Sequence, residues 1–201
     1  GVGLKPTYGL VSRFGLIAYA CSLEQIGPMA KNVADCALLF SVISGHDPRD
    51  STSLPVKPRN YLERLKEVDL RGLKVAVVKE MISEGVHEAV EKYVWRVIKL
   101  LEDLGVKWEI VSVPHLKYAL AAYYVTAMAE ASSNLARFDG VRYGFSIKDY
   151  EKPWDVAVSK VRAIGFGPEV KRRIILGTFI LSAGYFEAVS YTHLRAHETS
   201  L

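Results

Sequence analysis

Hydrophobic and polar positions follow two different periods along this chain, with a helix-period stretch standing between two β-branched runs. Leu73-Lys74-Val75-Ala76-Val77-Val78 is a short run of the kind found in strands buried on both faces. Val86, Val90, Val94, Val97, Ile98, Leu101 and Leu104 then recur at helical spacing. Glu88, Glu91, Lys92, Arg96, Lys99, Glu102 and Asp103 take the opposite face, and Gly105 stands where a C-terminal cap is wanted. Trp108 to Val113 reads as a second strand. Strand, helix, strand is a βαβ crossover, so the two strands are expected to be parallel and neighbouring, or nearly so.

Either side of this unit the pattern is less regular. Gly1 to Pro28 carries glycines at positions 1, 3, 9, 15 and 27 between short apolar runs, which predicts punctuated strand and turn. Asn32 predicts a helix cap with Asp35 three residues on, and Val33, Ala37, Phe40 and Ile43 or Ser44 form the expected apolar stripe until Gly45 closes it. His46 to Asn60 holds three prolines among Asp47, Asp50, Ser51 and Ser53, and is expected to be an exposed connection. Further on, an alanine-rich helix is expected from about Lys117 to Phe138, with Leu116, Leu120, Tyr123 or Tyr124, Ala127, Ala131 and Leu135 on one side and Asp139-Gly140 marking its end. Val141 to Pro153 reads as loop, Trp154 to Ile164 as helix, and Gly167-Pro168 as the start of another helix. That last helix is apolar almost all round after Arg173, which predicts burial. No internal repeat is visible, and the fold class expected is α/β with a helical excursion in the second half.

Composition narrows the function classes. The chain has 201 residues, half of them hydrophobic, with 26 Lys+Arg against 22 Asp+Glu, a globular balance with a net charge of +4. The densest basic cluster, Lys171-Arg172-Arg173, is too short for a nucleic-acid face. The longest apolar run, Ile174 to Leu181, is interrupted by Gly177 and Thr178 and falls far short of the ~20 residues of a membrane span. Cys21 and Cys36 have no C-x-x-C spacing, so neither a disulfide framework nor a structural zinc site is expected, and a reducing cytoplasm fits. The chain starts at Gly1 without methionine or leader and reads as an internal piece of a longer protein.

Most catalytic motifs are absent. There is no G-x-S-x-G and no phosphate-binding glycine loop. Ser132 and Ser133 fall inside a helix, where bonding back to the backbone is expected. His193 and His197 have metal-compatible spacing but no third ligand nearby, and His46, His87 and His115 stand singly beside turns or at a helix start, as surface or capping residues do. Arg172 and Arg173 form the most informative cluster. A guanidinium held against an apolar helix needs a carboxylate, supplied either by Glu169 three and four residues earlier or by a bound substrate. For Tyr123 and Tyr124 a core position is the default, and a phenol facing a substrate cleft is the alternative.

Several segments match a known family. Gly3-Leu4-Lys5-Pro6-Thr7-Tyr8-Gly9, Val11-Ser12-Arg13-Phe14-Gly15-Leu16 and Ser22-Leu23-Glu24-Gln25-Ile26-Gly27-Pro28 resemble the amidase signature family just downstream of its nucleophilic serine. Glu130 to Gly144 and Gly165 to Ile174 resemble, within it, the glutaminase subunits of the tRNA-dependent amidotransferases. The likeness runs from Gly1 to about Ala188. It implies a mixed β-sheet core flanked by helices. It further implies hydrolysis of glutamine by a Ser–cis-Ser–Lys triad, with the ammonia passed to a partner that amidates Glu-tRNA(Gln) or Asp-tRNA(Asn).

By the same resemblance two further subunits are partners, ATP and Mg belong to one of them, and no cofactor is held by this chain. The triad falls before Gly1, so no catalytic residue is expected here and the piece is expected to be inactive alone. Arg173 matches the arginine that pairs with the substrate's α-carboxylate, Tyr123 matches a tyrosine lining the same pocket, and the acidic residue for the substrate amino group falls beyond Leu201. Glu24 stands where the family usually has aspartate. From Val189 to Thr199 the chain resembles translated sequencing-adapter sequence, so residues 189–201 are expected to be foreign to the gene and His193 and His197 leave the functional argument. A stand-alone amidase and a non-catalytic scaffold for the partner subunits are the alternatives to a glutaminase.

Overall fold

A computed structural model of the chain describes residues 1–66, 69–82, 85–147 and 153–182. They form two compact units, the first from Gly1–Leu4, Pro28–Ser44 and Lys57–Leu120, the second from Lys5–Gly27, Gly45–Val56 and Ala121–Leu201. No helix among the described residues is long and apolar enough to cross a membrane.

In the first unit β1 (Val2–Gly3) pairs antiparallel with β2 (Met29–Ala30), and α1 (Val33–Ile43) follows directly. The cap of α1 is the expected one. Asn32 Oδ1 accepts from the otherwise orphaned Asp35 N–H at 2.8 Å, while its Nδ2 donates to the Asp35 carboxylate at 2.8 Å and so holds the capping side chain in place. Phe40 and Ser44 of the expected stripe are buried, but Cys36 joins them while Val33 and Ile43 stay exposed. A helix this apolar all round leaves the choice of face to its neighbours. Phe40 meets the Tyr61 ring at 4.5 Å, and the small Cys36 lets its thiol reach the Pro28 carbonyl at 3.6 Å.

The βαβ crossover is present. β3 (Lys74–Val78) and β4 (Lys107–Val111) are parallel neighbours in the register Lys74↔Lys107 to Val78↔Val111, joined through α2 (Glu88–Asp103). His87 caps α2 by accepting the Ala89 N–H on Nδ1 at 3.2 Å. At the other end Gly105, at φ 88°, lets its own N–H reach Glu102 O at 2.9 Å and the Val106 N–H reach Leu101 O at 3.0 Å.

Two expectations are corrected here. β3 is covered on one face only, with Val77 buried while Lys74 and Ala76 are exposed. α2 packs against β4, its Trp95 meeting Trp108 edge-on at 5.8 Å. That contact turns Ile98 into the core, and Val90, Val94, Val97 and Leu104 of the expected stripe remain exposed.

The alanine-rich helix α3 (Ala119–Leu135) begins after a 3₁₀ turn at Pro114–Tyr118, and from Ala121 onward it belongs to the second unit. It buries Ala127, Met128, Ala131 and Leu135. α4 (Trp154–Gly165) and α5 (Pro168–Ile180) fall where expected. α5 crosses α3 at Gly177, where a Cβ would lie 1.9 Å from Met128 O and 2.7 Å from Ser132 Cβ. Beside it Ser132 Oγ and Thr178 Oγ1 are 2.9 Å apart, so of the two serines only Ser133 bonds back to the backbone, to Ala129 O at 3.4 Å.

The expectation that α5 is buried all round fails. Gly177 is buried, but Ile175, Leu176 and Phe179 are exposed, because the helix touches its neighbour along one narrow glycine-centred line. Arg162 of α4 caps α3 by donating to Leu135 O at 2.9 Å and Phe138 O at 3.2 Å. The Asp139-Gly140 turn is held by the Asp139 carboxylate, which accepts from the Val141 and Arg142 N–H groups at 2.9 Å each and from Arg142 Nε at 2.7 Å.

Candidate functional site

Residues 12–24 of the second unit follow turns and bends, without a strand ladder or helix to fix them. Side chains do so instead, and Arg13 is the hub. Its guanidinium donates to Cys21 O at 2.7 Å, Thr52 Oγ1 at 3.2 Å and Glu24 Oε2 at 3.4 Å, and lies 3.8 Å from Asp50. Its N–H donates to Asp50 Oδ2 at 2.8 Å. This N–H, then that of Thr52, holds the Asp50 carboxyl below the usual carboxylate range. The segment after His46 is therefore no mere exposed connection. Asp47, Asp50 and Ser53 fold it back, with Asp47 accepting from Ser12 Oγ at 2.8 Å and its own N–H reaching Ser53 Oγ at 2.9 Å. Glu24 completes the turn by accepting the Tyr19 N–H and, at 3.0 Å, the Ala20 N–H.

α3 grips the same segment with two side chains one helical turn apart. Glu130 accepts from the Ser22 N–H at 3.0 Å and from the Ser22 hydroxyl. Asn134 Nδ2 donates to Tyr19 O at 3.1 Å, and Asn134 Oδ1 accepts from the Cys21 thiol at 3.4 Å. The Tyr19 backbone is thus fixed at both its N–H and its carbonyl.

α5 supplies the charge. Pro168 opens it with a preset φ, and Glu169 sits in its first turn, where the helix dipole favours an anion. Glu169 accepts from Arg172 Nε and Nη2 at 2.9 Å each and from Arg173 Nε at 2.8 Å. These bonds, Arg172 first, bring its carboxyl down to about 2. Arg173 Nη1 donates to the Tyr19 hydroxyl at 2.7 Å, with the tyrosine ring centroid 5.6 Å from the guanidinium carbon. Glu169 and then Tyr19 raise the Arg173 pKa above the ordinary arginine value. Two guanidinium cations against one carboxylate leave this cluster one net positive charge.

The local pairing with Glu169 exists, and Nη2 of Arg173 has no partner among the described residues. Tyr123 is 46% exposed and packs on Tyr124 at 5.3 Å, so the core position expected by default is corrected. The buried line of α3 runs through its later, smaller residues instead. No bond joins Tyr123 to Arg173 among the described residues. Tyr19 was not singled out by the sequence, since nothing in local periodicity connects it to an arginine on α5. A polar cavity of about 310 Å³ is lined by Arg13, Cys21, Glu24, Arg49 and Arg137, yet Arg13 and Arg49 are already paired with carboxylates and Arg137 bonds Asn134. No cluster of three or more His, Cys, Asp or Glu suited to a metal occurs among the described residues. His193, His197 and the tail from Val189 lie outside them.

Comparison with known proteins gives a consistent picture. A family model described as Amidase matches residues 1–201. The chain is 60% identical over 186 residues to a glutamyl-tRNA(Gln) amidotransferase subunit of Methanosarcina barkeri, covering 92% of this chain and 38% of that relative. It thus spans well under half the length of the curated relatives it matches. The crystal structure of the corresponding glutamyl-tRNA(Gln) amidotransferase subunit from Thermotoga maritima is similar with a TM-score of 0.65 at 42% identity, covering 95% of this chain and 36% of that one. A peptide amidase structure in complex with chymostatin, at 22% identity and a TM-score of 0.68, shares the fold.

Proposed function

Because this chain belongs to the amidase family, we propose that it is part of the glutaminase subunit of a tRNA-dependent amidotransferase and contributes the carboxylate-binding side of its glutamine pocket. The observation that carries this reading is the Arg172, Arg173 and Glu169 cluster. It retains one positive charge and an open guanidinium edge, the complement of an amino-acid carboxylate. The identity to proteins named as glutamyl-tRNA(Gln) amidotransferase subunits supports glutamine as the ammonia source, with a glutamate or aspartate on its mischarged tRNA as acceptor. In this reading the protein works in the cytoplasm with two partner subunits, ATP and Mg act in a partner, and Tyr123 lines the pocket. The reacting groups lie in the remainder of the subunit, and the residues described here bind and orient the substrate.

The test uses the complete subunit with its partners. Ammonia release from glutamine is expected, and Arg173→Ala is expected to raise the glutamine KM about tenfold or more, the worth of a charge-assisted bond. Turnover of other amides but not of glutamine would establish a stand-alone amidase, and no turnover at all would leave a scaffold.

A further inference from the structure

We infer that Tyr19 is the second donor of this carboxylate site and the residue that positions Arg173. The inference rests on the reading of Arg173 as the substrate's carboxylate partner. Arginine has a long, rotamer-rich side chain, and a ligand that must order it loses affinity in doing so. Here the ordering is complete beforehand. Glu169 takes Nε at 2.8 Å and the Tyr19 hydroxyl takes Nη1 at 2.7 Å, so the guanidinium plane is fixed at two of its three nitrogens and Nη2 is left open.

Tyr19 is itself immobilised from outside the cluster. Glu24 holds its N–H, and Asn134 donates to its carbonyl at 3.1 Å, which places the phenol by way of α3 rather than α5. While its oxygen accepts from Arg173, its own O–H hydrogen has no acceptor among the described residues. Accepting from a cation makes that hydrogen a stronger donor. A carboxylate that takes Nη2 of Arg173 on one oxygen can take this O–H on the other, a two-point contact that selects a planar anion over a point charge. Phenylalanine would keep the ring beneath the guanidinium and lose both hydrogen bonds.

The experiment is Tyr19→Phe in the complete subunit with its partners, measured beside Arg173→Ala and the double variant. The glutamine KM of Tyr19→Phe is expected to rise about fivefold, the net worth of a hydrogen bond, with kcat unchanged and with little further loss when Arg173→Ala is added. The inhibition constant of 4-aminobutanamide, which keeps the side-chain amide and amino group but has no carboxylate, is expected to be the same for Tyr19→Phe as for the parent. If Arg173→Ala raises the glutamine KM while Tyr19→Phe does not, Tyr19 has no part in the site. If Tyr19→Phe weakens 4-aminobutanamide as much as glutamine, its role is general to the fold and the inference fails. An unchanged KM for Arg173→Ala removes the underlying carboxylate reading and this inference with it.

Discussion

Arg173 and Tyr19, 154 positions apart in the chain, meet in a 2.7 Å hydrogen bond from the guanidinium to the phenol. On its other side the same guanidinium is tied to Glu169, whose carboxyl has an ordinary value of 4.5 and is brought down to about 2. A carboxyl with a depressed folded-state pKa stabilises the protein above its unfolded pKa, and that contribution disappears as pH falls through the folded value. The stability contributed by the Glu169 pairing is therefore expected to be complete above about 4.5 and to be lost as pH falls from there through about 2, where the carboxyl itself titrates. Following the Glu169 carboxyl carbon by NMR checks this. A midpoint at the ordinary value would show the pairing to be absent in solution, and high salt is expected to move the midpoint upward because the pair is exposed.

Arg13→Ala is expected to destabilise the protein by about 3 kcal/mol, since it leaves Glu24 and Asp50 largely out of water without their cation. Arg13→Lys is expected to recover only part of this loss. An ammonium cannot serve Cys21 O, Thr52 and Glu24 in the geometry the guanidinium fork provides. Chemical denaturation of the parent and both variants measures the difference, and a lysine variant as stable as the parent would contradict the hub assignment.

Gly177→Ala sets two effects of opposite sign against each other. Alanine gains about 1 kcal/mol of helix propensity over glycine. Against this, the new Cβ would lie 1.9 Å from Met128 O, a backbone atom in the middle of α3 that has no rotamer to give. Overpacking of this kind costs about 3 kcal/mol or more where the neighbour cannot yield, so a lowered Tm is expected. A Tm equal to the parent's would mean that the α3 and α5 contact is looser than described.

Ser44→Ala is expected to act in the opposite direction. The Ser44 hydroxyl is buried without a hydrogen-bond partner among the described residues, and the neighbouring Cys36 and Phe40 are apolar. Removing an unsatisfied buried hydroxyl is expected to stabilise by about 1 kcal/mol, read as a higher denaturation midpoint with an unchanged slope.

Local chemistry was legible in the sequence wherever one residue decides it. The Asn32 cap, the Gly105 closure, the Pro168 helix start and the parallel β3 and β4 pair all stand where the pattern put them. Which face of a helix is buried was much less legible. α1 and α5 each carry apolar residues around most of their circumference, so the choice falls to neighbours such as Tyr61 or Met128 that lie outside the helix. The site divides in the same way. Glu169, Arg172 and Arg173 are three and four residues apart and could be paired by counting. Tyr19, Asn134 and Glu130 could not, because no periodicity links them.

The segment from Ser12 to Glu24 has a wider consequence. Its shape is stored in its own Arg13 and Glu24 together with the side chains of other segments, with Asp50, Glu130, Asn134 and Arg173 each holding one point of it. Lesions at these scattered positions converge on one surface, so their phenotypes should resemble one another far more than their separation along the gene suggests. Recombination between relatives would have to carry all four holders together to transplant that surface intact.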